Sequence, residues 1–280
     1  IGRHKPGCPH YYPVLLKPDN YDVPGCDHGD VSLASVPATS VEEYQANLAR
    51  VIAAENDNQY KLVRKATGIS KPSIFSGFSR AFPSPLGSSI DLMHLTDLNM
   101  PDLLISIWRG VIKGSTATSA KTWPFAVLQG TAWTAHGVQV QLAMSYLPGF
   151  FDRAPRNIAE KISSGYKAAE YHTYLWNYAP AMLRRLLPPA CWRHLCKTAR
   201  SVQIIHHANI PLSDLVKAKR LLTEATREFE EVYVQRDADR IHLVRPCIHT
   251  LWHAPDEIVR RGSLICGTQH TLTYHGTSDW

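Results

Sequence analysis

The sequence predicts a mainly α-helical fold with a few short β-strands. Apolar residues of the segment 213–236 recur three or four positions apart, as in a helix that packs against other helices. They are Leu215, Ala218, Leu222, Ala225, Phe229 and Val232. Ser40 and Glu43 form a capping box, which indicates the start of another helix. The one strand-like run, rich in Tyr, Val and Leu, spans residues 10–16.

Proline and glycine divide the rest of the chain into further helices. The predicted helices span about 40–65, 99–110, 123–146, 162–187, 190–207, 213–236 and 240–252. Segment 99–110 has a proline in its first turn and ends at a glycine, both typical of helix termini. Residues 69–80 are predicted to form an extended connection. The tail from Gly262 shows no hydrophobic periodicity.

Composition limits the class of protein. The 280 residues are 44% hydrophobic and 19% charged, which is typical of a globular chain. No apolar run reaches the roughly 18 residues of a membrane span. Six cysteines are too few for a disulfide scaffold, so we expect reduced, intracellular thiols. The net charge of +6 favours an acidic partner such as nucleic acid. Because the chain starts at Ile1 without a signal-like stretch, we expect a fragment of a longer protein.

The stretch from Phe82 to Asn99 holds the first candidate site. Proline, glycine and serine give way there to an apolar run that contains Asp91 and, three residues later, His94. A first helical turn would place both side chains on one face. Asp91 is therefore either an N-cap or a metal-binding acid, and its spacing from His94 leaves both interpretations open.

Glu170 is the second candidate acid. It lies four residues after Tyr166 and four before Tyr174, which places a carboxylate on the aromatic side of the predicted helix. A buried acid needs a partner, which is either a metal ion or a cation such as Lys167 or a nearby arginine. Arg153 and Arg156 belong to the preceding loop, where they can reach a phosphate or remain solvated.

Two groups of residues have the composition of transition-metal ligands. The two Cys-x-His pairs, Cys8 with His10 and Cys26 with His28, could hold zinc, although their spacing matches no standard finger. A polar, irregular segment is the alternative there. His249 and His253 are four apart on a predicted helix and could bind one metal ion, although ordinary surface or core histidines are the alternative.

A series of short motifs resembles CACTA (En/Spm-type) transposases, in particular the fungal copies. The motifs are GRHKPG (2–7), HYYP (10–13), KPSIF (71–75), DLMH (91–94), LLISIWRG (103–110), YLPG (146–149), RN (156–157), SGYKAAE (164–170) and IHTLWH (248–253). The resemblance extends from Gly2 to about Val259, nearly the whole chain, and the motifs keep their order.

The resemblance implies a DDE-type nuclease and strand transferase, with an RNase H-like core interrupted by a helical insertion. In such enzymes three carboxylates hold two Mg²⁺ or Mn²⁺ ions that promote phosphoryl transfer. Asp91 falls where the family has its second acid, Glu170 takes the place of the third, and His94 is the accompanying imidazole. Arg153, Arg156 and Lys167 would contact DNA. The implied partners are transposon ends and further copies of the chain, and the implied location is the nucleus.

The domain organisation expected from the resemblance has four parts. Residues 1–90 would be the N-terminal part of the catalytic core, 91–158 the helical insertion, 159–261 a helical part with the third acid, and 262–280 a divergent tail. The family's first acid lies upstream of GRHKPG, and its Met-Glu-Arg segment near the C-terminus is missing here, so we expect the chain alone to be inactive. The alternatives are a non-catalytic module that binds DNA or a protein, and a decayed gene copy.

Overall fold

The computed structural model describes residues 3–4, 11–19, 21, 29–36, 40–77, 87–112, 120–148 and 153–263. It confirms a mainly helical fold. The chain forms two compact units, one of residues 1–33 with 90–280 and one of residues 34–89. None of the helices in the described residues is long and apolar enough to cross a membrane.

The described strands are short and belong to the larger unit. β1 (Arg3–His4) pairs antiparallel with β2 (Tyr11–Tyr12), so that Arg3 lies opposite Tyr12. Of the strand predicted over residues 10–16, the described part forms β-structure only at Tyr11 and Tyr12. Its remaining apolar residues, Val14 to Leu16, are buried without sheet pairing.

The smaller unit contains α1 (Val41–Ile52) and α2 (Asp57–Thr67). The predicted cap at the start of α1 is present, because the Ser40 side chain accepts a hydrogen bond from the Glu43 N–H at 3.1 Å. One continuous helix over 40–65 was the wrong prediction. Asn56 begins a new helix by accepting the Gln59 N–H at 3.0 Å, a local hydrogen bond that competes with helix continuation.

Nine α-helices of the larger unit can be described. They are α3 (Leu92–His94), α4 (Met100–Arg109), α5 (Gly130–Ala143), α6 (Ile158–Lys161), α7 (Ala168–His172), α8 (Ala179–Met182), α9 (Pro189–Ile205), α10 (Leu212–Phe229) and α11 (Pro246–Arg261). Wider π-helical turns follow α3, α7 and α10 directly, at Leu95–Asn99, Thr173–Tyr178 and Glu230–Val234.

The core of the larger unit surrounds α4. Leu103, Leu104 and Trp108 are fully buried, and the Trp108 indole donates a hydrogen bond to the Tyr233 hydroxyl at 3.1 Å. Helix α10 packs against both α9 and α11. Its predicted stripe is buried from Leu215 to Phe229, because that face lies between the two neighbouring helices.

Three predicted helices begin at the wrong residue. The helix predicted over 162–187 begins only with α7 at Ala168, because residues 162–165 form turns. Residues 123–129 form buried turns rather than helix, and α5 starts only at Gly130. There the Leu128 N–H donates to the Trp108 carbonyl, so tertiary packing takes the backbone bond that a helix would use. The last helix starts at Pro246, a residue suited to the first helical position, and continues past Pro255 to Arg261.

Close packing of α5 against α6 gives a prediction at Gly137. A Cβ at Gly137 would lie 2.6 Å from the Ala159 Cβ, and it would also overlap the Asn157 side chain. Asn157 is fixed because it caps α6 by accepting the Ala159 N–H at 3.0 Å. We expect Gly137→Ala to lower the free energy of unfolding by about 2 kcal/mol, although alanine favours helices. Urea unfolding measures the change, and the exposed Gln139→Ala is the control. Equal stability of both variants would contradict the packing argument.

Candidate functional site

Asp91 and His94 form a local pair at the start of α3. The Asp91 carboxylate accepts the His94 N–H at 3.0 Å and lies 2.7 Å from His94 Nδ1. The hydrogen bond from the His94 N–H is the main reason why the pKa of Asp91 lies below its usual value. Asp91 is thus an N-cap, and because both side chains are more than half exposed, its carboxylate is also accessible from solvent. Its role as a catalytic acid stays a prediction.

Glu170 is fully buried and held by an arginine. Arg156 donates from Nε and Nη2 at 2.6 and 2.7 Å, and the backbone N–H groups of Arg156 and Lys167 donate at 3.2 and 3.0 Å. Arg153 Nε lies 3.5 Å from the same carboxylate. Burial alone raises the pKa of Glu170, but the hydrogen bonds from Arg156 and from the backbone lower it below its usual value.

This arrangement does not fit a Mg²⁺ site at Glu170. Its two oxygens already accept four N–H donors, and a guanidinium supplies the positive charge that a metal ion would bring. Arg153 and Arg156, which the sequence suggested for DNA, are directed at Glu170, whereas the Lys167 side chain is exposed. The catalytic role of Glu170 and the DNA contacts of these three residues stay predictions.

His249 and His253 meet on one face of α11. Their Nε2 atoms are 3.0 Å apart, and both rings are partly buried. Burial, together with His249 and the Lys219 charge, lowers the pKa of His253 to about 4, so this imidazole is neutral at pH 7. Two neutral imidazoles can bind a metal ion, and this role stays a prediction. Cys8, His10, Cys26 and His28 lie outside the described residues.

A cluster of metal-ligating groups lies where three segments of the larger unit meet. Asp97, His172 and His206 place one oxygen and two nitrogen atoms within 4.8 Å of one another. Asp97 Oδ1 is 2.9 Å from His172 Nδ1. The Thr96 hydroxyl lies between Asp97 Oδ1, at 2.8 Å, and His206 Nε2, at 2.9 Å. This mostly buried group could hold a metal ion.

The fold fixes this cluster through two π-helical turns. Asp97 belongs to the turn 95–99, and His172 is the last residue before the turn 173–178. Trp176, from the second turn, donates its indole N–H to the Thr96 carbonyl at 3.0 Å and so ties the two turns together. Burial and the neighbouring His172 lower the pKa of His206 to about 4, which leaves its ring neutral at pH 7.

Helix α9 and the turn before it present a basic surface. The segment 171–213 contains five lysine or arginine residues and no aspartate or glutamate. Arg184, Arg185, Arg193 and Arg200 are exposed, and none of them has an acidic partner among the described residues. Arg184 stacks on the Trp192 ring at 5.6 Å. We call these four residues the α9 arginine surface.

Arginines of the neighbouring helix are arranged differently. Arg220 and Arg227 of α10 each pair with a glutamate four residues later, both at 2.9 Å. Lys197, the remaining cation of the segment 171–213, is bound by Glu224 and Glu228. The α9 arginine surface therefore carries uncompensated charge, whereas the charges of Arg220 and Arg227 on α10 are neutralised.

Protein families, curated proteins and solved structures give no match to this chain. Its function is therefore inferred from the motif series and from the side-chain arrangement of the larger unit.

Proposed function

We propose that this chain is part of a DDE-type DNA transposase of the CACTA type, a remnant of an RNase H-like core with a helical insertion, and that its larger unit binds DNA. The ordered motif series supports the family. The observation that carries DNA binding is the α9 arginine surface, because exposed arginines without acidic partners are available to phosphates.

The geometry of α9 suits a nucleic-acid backbone. Arg193 and Arg200 are seven residues apart, so they share one helix face about 10 Å from each other along the axis. A guanidinium binds a phosphate through two parallel hydrogen bonds and keeps its charge at any physiological pH. Release of counterions from DNA then supplies most of the binding free energy.

Catalysis by Mg²⁺ or Mn²⁺ is the second part of this proposal. Such an ion would polarise the phosphate and activate the attacking water or hydroxyl. Asp91 is the acid we assign to it, because its carboxylate is accessible at the start of α3. Glu170 could join only after release from Arg156.

The test of DNA binding compares two pairs of arginines. We expect Arg193→Ala/Arg200→Ala to weaken binding of a fluorescent duplex about tenfold, and to reduce the slope of log affinity against log salt by about two. Fluorescence anisotropy at roughly 50 to 200 mM salt measures both quantities. Arg220→Ala/Arg227→Ala removes the same charge from neutralised positions and should change affinity much less. Equal losses in both pairs, or no binding at low salt, would overturn the proposal.

A non-catalytic DNA-binding module is the second candidate, because the α9 arginine surface serves it equally well. Cleavage of supercoiled plasmid in the presence of Mn²⁺ separates the two functions. Cleavage that Asp91→Ala abolishes supports the transposase, whereas DNA binding without any cleavage supports the module.

A further inference from the structure

We infer that Asp97, His172 and His206 bind one zinc ion, at a site separate from the carboxylates that the transposase resemblance implies. The three residues come from three different segments, which are the π-helical turn 95–99, the end of α7 and the residue after α9. Two imidazole nitrogens and one carboxylate oxygen are a common protein ligand set for zinc.

The hydrogen bonds of the cluster can accommodate a cation when His206 Nε2 carries no proton. The Thr96 hydroxyl has one proton, yet it lies within 2.9 Å of the Leu92 carbonyl, of Asp97 Oδ1 and of His206 Nε2. If His206 carries its proton on Nδ1, the single Thr96 proton cannot serve all of these acceptors. If His206 carries it on Nε2, this nitrogen donates to the Thr96 hydroxyl instead. A metal ion satisfies the Asp97 and His206 lone pairs together, and leaves the Thr96 proton for the Leu92 carbonyl.

The distance between Asp97 and His172 requires only a small adjustment. Ligands about 2.0–2.1 Å from a tetrahedral zinc ion are roughly 3.3 Å apart. Asp97 Oδ1 and His172 Nδ1 are 2.9 Å apart, so the two side chains would separate by a few tenths of an ångström. Three protein ligands leave a fourth position for water or for the Thr96 hydroxyl. His172 retains an exposed fraction of 12%, which gives the ion a path from solvent.

The backbone at the site is also unusual. Asp97 lies within a π-helical turn, and His172 immediately precedes another. Such turns are rare in proteins and occur frequently at functional sites. The Trp176 indole fixes the Thr96 carbonyl from outside the ligand set, and interactions of this kind commonly orient the residues around a metal ion.

The ligand types select zinc over the Mg²⁺ or Mn²⁺ of a DDE enzyme. Mg²⁺ prefers all-oxygen ligands, whereas imidazole suits zinc and its neighbours in the first transition row. A zinc ion here would join α7, the end of α9 and the turn 95–99, so its binding stabilises the fold of the larger unit.

The experiment titrates the metal-free chain with Zn²⁺ alone. Every protein in it carries Cys8→Ser, Cys26→Ser and His253→Gln, which remove one ligand from each of the other candidate metal-binding pairs. We expect one equivalent of zinc and a melting temperature several degrees higher with the ion. Asp97→Asn and His206→Gln should each weaken binding at least tenfold, whereas Asp102→Asn, at an exposed ion pair with Arg245, should not.

X-ray absorption of the bound zinc keeps the test independent of variant folding. Two imidazole nitrogens with oxygen neighbours and no sulfur support the site. No zinc bound by the background protein, sulfur in the coordination sphere, or equal binding by folded Asp97→Asn and His206→Gln variants would each overturn it.

Discussion

Replacing Arg156 by methionine lowers the melting temperature by about 5–10 °C, because the buried Glu170 carboxylate then loses its charge partner. Two charge-assisted hydrogen bonds to Glu170, at 2.6 and 2.7 Å, and one to the Gly165 carbonyl, at 2.8 Å, disappear. Glu170 then keeps only its backbone donors. Methionine keeps much of the volume of the arginine side chain, so the change acts mainly on charge and hydrogen bonding. The side chain of Arg156 is about one-third exposed, at 36%, so water replaces part of the loss.

Arg153 provides a matched control in the same loop. Its Nε lies 3.5 Å from Glu170, beyond a good hydrogen bond, and its side chain is about half exposed. Arg153→Met should therefore shift the melting temperature by much less. Arg156→Met/Glu170→Met removes the uncompensated charge and should recover part of the loss. A double variant less stable than Arg156→Met would contradict the explanation.

The pH dependence of the Arg156→Met effect follows from the pKa of Glu170. Because the folded-state pKa lies below the usual 4.5, the pair stabilises the fold above that pH and loses its contribution as the pH falls further. The difference between wild type and Arg156→Met should thus shrink in acid. Differential scanning fluorimetry at several pH values measures it.

The same experiment bears on catalysis. If Glu170 is a structural anchor, Mg²⁺ or Mn²⁺ changes the melting temperatures of wild type and Glu170→Gln equally. A rise on adding the ion that Glu170→Gln abolishes would mean instead that the carboxylate leaves Arg156 to bind metal. A structural ion pair and a metal-binding role for Glu170 therefore predict different effects of the ion on the melting temperature.

Sequence reasoning worked best where packing follows local periodicity. The α10 stripe and the termini of α4 could be predicted, because a 3.6-residue repeat and Pro and Gly signals act within a few residues. It failed at residues 123–129, where a backbone bond to Trp108 replaces helix, and at Asn56, whose capping ends a seemingly continuous pattern.

The candidate sites also differ in whether their contacts are local or long-range in the sequence. The cap at Asp91 involves a residue three positions away, and its alternatives could be stated from spacing. Asp97 and His172 are separated by 75 residues, and only tertiary packing brings them together. The α9 arginine surface is an intermediate case. The sequence alone shows that residues 171–213 contain no aspartate or glutamate. Only the fold shows that these arginines are exposed and have no acidic partner among the described residues.

Glu230 should make the stability of this chain decrease as the pH rises from about 4.5 to about 7. Its buried carboxyl lies at the N–H groups of Leu15 and Leu16, with distances from 2.7 to 3.0 Å, and so attaches the N-terminal segment to the end of α10. Burial raises the pKa of Glu230 from 4.5 to about 7, although these two hydrogen bonds and Arg236 oppose the rise and Asp30 adds to it.

The sign follows from proton binding. Between pH 4.5 and 7 the folded state keeps a proton on Glu230 that the unfolded chain has already released. The free energy of unfolding therefore falls through this range, by about 3 kcal/mol for this group alone. Buried histidines act in the opposite direction. Burial lowers the pKa values of His136 and His194 to about 4, so their contribution to stability rises with pH from about 4 to 6.5.

Glu230 and the buried histidines change the free energy of unfolding in opposite directions as the pH rises. The test therefore compares the stabilities of two proteins at each pH. The stability of Glu230→Gln relative to wild type should increase by about 3 kcal/mol from pH 5 to pH 8, since only wild type must ionise a buried carboxyl. Urea unfolding at both pH values measures it, and Glu231→Gln, at the adjacent exposed residue, should show no such change. A constant difference would mean that the Leu15 and Leu16 N–H groups keep Glu230 ionised, so that hydrogen bonding outweighs burial at this carboxyl.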